Sequence, residues 1–153
     1  ALPIYPVVKG LHALDTADEE EVEVFSAGKY YFKNGKHYIF YDEMVEDTGT
    51  VVKNRITLKD GRMEVKKTGP FHSQLVFEEE RKNNSWYNTP FGQLMAGIEV
   101  QSMRIKEEEK LLEIRVDYEL EINYEKMAQC QIQIKVMAKD SGLFKLRKVL
   151  GNG

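Results

Sequence analysis

The chain has 153 residues, a formal net charge of −3 and a sequence pI near 5.7, with 42% hydrophobic and 31% charged residues. That length suits one domain with one core, and the mildly acidic balance disfavours general nucleic-acid binders and membrane-surface proteins. One cysteine, Cys130, excludes an internal disulfide, and no apolar run reaches the roughly 18 residues of a membrane-spanning helix. The opening Ala1–Pro6 stretch shows no basic leader followed by an apolar run, so the expected compartment is the cytoplasm.

In chain order, the first strands are expected at Val7–Leu14 and Glu20–Phe25. Lys29–Lys33 and Lys36–Glu43 flank Asn34-Gly35, and Val51–Lys59 and Arg62–Lys67 flank Asp60-Gly61. These dipeptides supply the positive φ angles that two-residue hairpin turns need. Gly69-Pro70 closes the next strand, Ser73–Glu79 follows, and Lys82-Asn83-Asn84-Ser85 is expected as a polar loop. After Pro90 and Gly92 come Leu94–Lys106, an acidic step at Glu107–Glu109, and then the strongest signal of all. From Leu112 to Tyr124 the even positions are Leu, Ile, Val, Tyr, Leu, Ile and Tyr, while the odd ones are charged or polar. Period two of this kind is a strand with one dry and one wet face. Gln129–Ala138 repeats it, with Cys130 on the apolar side.

This pattern implies an all-β domain over residues 1–138 and a tail over 139–153 that is either a short helix or an unstructured end. Long strands joined by hairpins favour an antiparallel up-and-down barrel of about eight to nine strands over a sandwich.

Gly28-Lys-Tyr-Tyr31, Tyr38–Glu43, Gln74–Phe77, Thr89–Gly92 and Tyr118–Asn123 stand in an order and spacing that resemble the YwiB-like bacterial β-barrels, over roughly Val8 to Met137. The resemblance implies a calycin, or lipocalin-like, barrel. It transfers no catalytic residues, because that family carries no established activity. One departure is Lys67-Thr68-Gly69 where the family tends to have Arg-x-Gly, and a lysine is a weaker partner for a planar anion.

The chemistry-bearing residues form no recognisable catalytic set. His12, His37 and His72 lie in no metal-ligand spacing, no Gly-x-Ser-x-Gly elbow occurs, and glycine-rich phosphate loops are missing. Neither a metal nor a cofactor is expected. The acidic run Asp18–Glu21 is expected as a solvated turn. The balance leans against an enzyme; an enzymatic reading would pair a histidine with a carboxylate, for instance His72 with Glu43.

The hairpin Lys29–Glu43 holds six aromatics among lysines, and a second aromatic group falls near strand ends. The leading expectation is therefore a non-catalytic barrel binding a small apolar or amphipathic ligand through Tyr38, Phe40, Phe71, His72, Trp86 and Phe91. The alternative is an interaction module for RNA or protein on the hairpin, using Lys29, Tyr31, Lys33, Lys36 and Tyr41.

Overall fold

Alternation becomes burial along β10 (Leu111–Ile122), where Leu112, Ile114, Val116, Tyr118 and Leu120 are buried and Arg115 between them is exposed. The computed structural model describes residues 2–9, 22–24, 28–45, 49–70, 72–89 and 92–138. Besides β10 these residues form β1 (Leu2–Lys9), β2 (Val22–Val24), β3 (Gly28–Lys33), β4 (Lys36–Val45), β5 (Thr50–Lys59) and β6 (Arg62–Thr68). The remaining strands are β7 (Ser73–Glu78), β8 (Lys82–Thr89), β9 (Gly92–Glu108) and β11 (Glu125–Ala138). No helix occurs among the described residues, so none is long and apolar enough to cross a membrane.

Every pairing is antiparallel, and the hydrogen-bonded order is β7-β6-β5-β4-β3-β1-β11-β10-β9-β8. Apart from β2, which pairs only with β1, neighbours along the wall follow one another in sequence, and the first described strand meets the last: Ile4–Lys9 of β1 pair with Ala138–Gln133 of β11. The other edge of β1 is shared, Leu2–Ile4 pairing with β3 and Val7–Lys9 with the short β2. Pro6, which has no N–H to donate, falls between those two partners.

The ring is nearly closed. Among the described residues the one gap in its backbone ladder lies between β7 and β8, which are consecutive strands joined through Glu79–Arg81. Side chains bridge that seam instead: the Asn88 amide N–H donates to Ser73 Oγ at 3.3 Å, and Asn88 Nδ2 donates to the carbonyl of His72.

The structure has eleven strands among the described residues, more than the eight to nine expected, and β8 is one that the sequence pattern hides. Lys82–Ser85, expected as a loop, is the first half of β8. Its Asn and Ser residues have little strand preference of their own. They are held in register by β9, with Asn83 opposite Ile98 and Asn84 opposite Gly97. The first strand also lies earlier than expected, at Leu2–Lys9. The expected tail over 139–153, the acidic run Asp18–Glu21 and His12 lie outside the described residues.

The inner faces merge into one core that includes Ile39, Ile56, Met63, Phe77, Ile114 and Ile134, each without solvent exposure. Phe77 meets Tyr118 edge-on at 5.1 Å between ring centres. The barrel is thus filled with buried side chains along its middle.

Candidate functional site

The β3–β4 hairpin turns on Asn34 and Gly35 with φ of 54° and 75°, the left-handed pair that a two-residue turn requires. That turn sets the register, placing Phe32 opposite His37 and Tyr30 opposite Ile39. Because Ile39 is fully buried, Tyr30, Phe32 and His37 all belong to the inner face, at the end of the barrel where the turn sits. On the far side of that end the β9–β10 hairpin pairs Glu107 with Leu112, so Glu107 is on the inner face too.

These elements bring three polar groups into a chain. The Tyr30 hydroxyl lies 2.6 Å from His37 Nδ1, and His37 Nε2 lies 2.9 Å from Glu107 Oε1. Burial first, and then the charge of Glu107, hold the Tyr30 phenol above its ordinary pKa, so it remains a donor at neutral pH. A Tyr30 O–H donating to Nδ1 leaves the imidazole proton on Nε2, where it donates to the Glu107 carboxylate. His37 is 7% exposed, whereas the Glu107 side chain is 59% exposed, so the chain runs from barrel interior to water. Phe32 packs edge-on against the imidazole at 4.8 Å and fixes its plane.

Beside the chain lies a cavity of about 150 Å³. Ile4, Leu112 and Val136 form its apolar floor, Phe32 and Ala138 its sides, and His37 with Glu107–Lys110 its polar rim. Among the described residues no three His, Cys, Asp or Glu side chains gather to ligate a metal.

The residues expected to line a ligand site do not converge here. Tyr38 and Phe40 alternate with the buried Ile39 and so stand on the outer wall, half-buried, with Phe40 against Tyr31 at 5.7 Å. Trp86, 58% exposed, is also on the outer wall, and His72 is exposed at the opposite end of the barrel. Phe71 and Phe91 lie outside the described residues. The residues of the alternative interface divide as well. Lys29, Tyr31, Lys33 and Lys36 face outward, but Tyr41 is 4% exposed, because it shares the inner parity of Ile39. A histidine and a carboxylate do meet in a pocket, as His37 and Glu107. Glu43 holds Lys67 at 3.5 Å and accepts from Asn54 at the other end of the barrel, so Lys67 is engaged by an internal carboxylate.

Cys130 is half-buried against the core, and burial raises its thiol pKa, partly offset by a hydrogen bond with Tyr118. That is the environment of an unreactive core thiol.

A family profile described as a domain of unknown function, DUF1934, matches residues 8–134. Among solved structures, the chain is similar to the ywiB protein from Bacillus subtilis, with a TM-score of 0.70 and 23% sequence identity. That match covers 90% of this chain and 92% of the other, and at this identity it speaks for the fold. No curated protein matches the chain significantly.

Proposed function

The chain belongs to the DUF1934 family, and from its own geometry we propose that it is a non-catalytic binding barrel whose ligand sits at the mouth, against Tyr30, His37 and Glu107, instead of in the lumen. The observation that carries this reading is the cavity of about 150 Å³ with an apolar floor and a hydrogen-bonded polar rim. A space of that size takes a molecule of roughly benzene dimensions. Its lining suits a small amphipathic compound, with a short apolar body against Ile4, Leu112 and Val136 and a polar head exchanging hydrogen bonds with His37 and Glu107. The reading agrees with a calycin-like barrel, in which a ligand enters at one open end.

Native mass spectrometry of protein purified from its own host tests it, with Ala138→Phe as the cavity-filling control. The expected result is a retained small molecule on the unaltered protein and none on the variant at equal folded mass. Two negative results together would overturn the proposal: no adduct on either protein, and no shift of the Tyr30 or His37 NMR signals with a panel of small phenols and carboxylic acids.

A further inference from the structure

The outside of the wall carries an uneven distribution of charge. The outer faces of β3–β6 carry eight basic side chains and only two acidic ones, Asp42 and Glu64, on a protein whose net charge is −3. The basic residues are also stacked against one another. Antiparallel register sets Lys33 opposite Lys36, Arg55 opposite Lys66, and Lys59 opposite Arg62. Like charges directly opposite on a sheet repel, so three such pairs on one face leave a standing excess of positive potential. Across the barrel the like-charged pairs are of both signs, Arg104 with Arg115 and Glu99 with Glu119, and no such excess builds up. On the basic face Glu64 takes up Arg62 at 3.0 Å, while the Nε–H of Arg55 is buried with no hydrogen-bond partner.

Aromatic rings run through the same face. Tyr31 and Tyr38 are directly opposite each other, and Phe40 follows on β4, in register with Arg55. Tyr31 is 42% exposed, and the Lys36 ammonium lies 5.4 Å over the ring of Tyr38. Cations in rows with ring faces between them match a strand that offers phosphates and unpaired bases together. An acidic peptide would answer the charge and leave the rings unused.

We propose that the outer face of β3–β6 binds single-stranded nucleic acid, with Lys33, Lys36, Arg55 and Lys66 on phosphates and Tyr31, Tyr38 and Phe40 stacking on bases. The acidic total that disfavours nucleic acid in the sequence is a sum over the whole chain, whereas a strand meets only one wall. This site is on the opposite side of the sheet from the mouth cavity and does not depend on it.

Fluorescence anisotropy with a labelled oligouridine of about twelve nucleotides tests the proposal, beside oligothymidine and a duplex of the same length. Binding is expected to both single strands, to weaken steeply as salt rises, and to be poorer for the duplex. The oligouridine and oligothymidine arms rank RNA against DNA. The double variant Lys33→Glu/Lys36→Glu should weaken binding by ~10-fold or more. Tyr38→Ala, which leaves charge untouched, should weaken it by ~5-fold or more. Circular dichroism is the control for folding of each variant, which is expected to hold because all three altered side chains are on the outer face. No binding at low salt overturns the proposal. So does equal affinity for duplex with no effect of Tyr38→Ala, and so does polyglutamate competing as well as the oligonucleotide, which would make the face a site for acidic protein.

Discussion

Asp117 stands on the wet face of β10 with two donors aimed at it, Gln131 Nε2 at 2.7 Å and Ser102 Oγ at 2.9 Å. These two bonds, Gln131 first, hold its carboxyl below the ordinary aspartate value of 3.8, with burial opposing them. A depressed native pKa stabilises the fold above the unfolded value and loses that contribution as pH falls through the folded one. Asp117→Asn is therefore expected to lower the melting temperature at pH 7 by an amount worth under ~1 kcal/mol, since the residue is only half-buried and water screens its charge. The gap should narrow progressively as both proteins are melted at pH values below 3.8. A constant gap across that range would mean that Asp117 contributes through shape and not charge. At this scale the sequence reveals parity and little more. Alternation puts His37 on the same side as Ile39 and Tyr41, but its partner Glu107 is 70 residues away, and only the closed ring brings them together.

Hairpins show the limits of local patterns at the next scale. Asn34-Gly35 and Asp60-Gly61 announce their turns in the sequence, and both adopt positive φ at each central residue. The turn between β10 and β11 uses Asn123 and Tyr124 at φ of 49° and 70°, and the apolar parity of Tyr124 disguises it as one more strand residue. Asn123 compensates by anchoring the turn to β9: its N–H donates to the Met95 carbonyl at 2.8 Å and its Oδ1 accepts the Met95 N–H at 3.1 Å. Tyr124 itself is 74% exposed, so its ring returns little for the strained backbone. Tyr124→Gly should stabilise the protein by up to about 1 kcal/mol, read as a higher midpoint in urea. β8 misleads in the opposite direction. Its polar first half looks like a loop and is held flat by pairing to β9, where Gly97 leaves room for Asn84, whose Oδ1 would lie 2.8 Å from any added Cβ. Composition speaks for a strand only where the strand must also fill the core.

For the whole molecule, antiparallel order follows from the succession of hairpins and is legible in the sequence, and the number and length of the strands argue for closing the sheet on itself. The position of the seam is not legible, because β8 reads in the sequence as a polar loop and gives no sign of which neighbour it pairs with. The Asn88 backbone N–H on the Ser73 hydroxyl and the Asn88 side-chain amide on the His72 carbonyl stand in for the ladder there. The double variant Ser73→Ala/Asn88→Ala should cost about 1–2 kcal/mol, from roughly one net hydrogen bond per deleted side chain. Hydrogen exchange should rise first in β7 and β8 while β10 and β11 keep their protection. Equal acceleration in all four strands would mean that the seam opens only with global unfolding.

The crowding of like charges on β3–β6 separates two quantities that are usually treated as one. Migration in an electric field follows the total, while adhesion follows whichever side is presented. A molecule that drifts toward the anode at pH 7 is thereby equipped to cling to sulfonate beads, always with the same flank turned toward them.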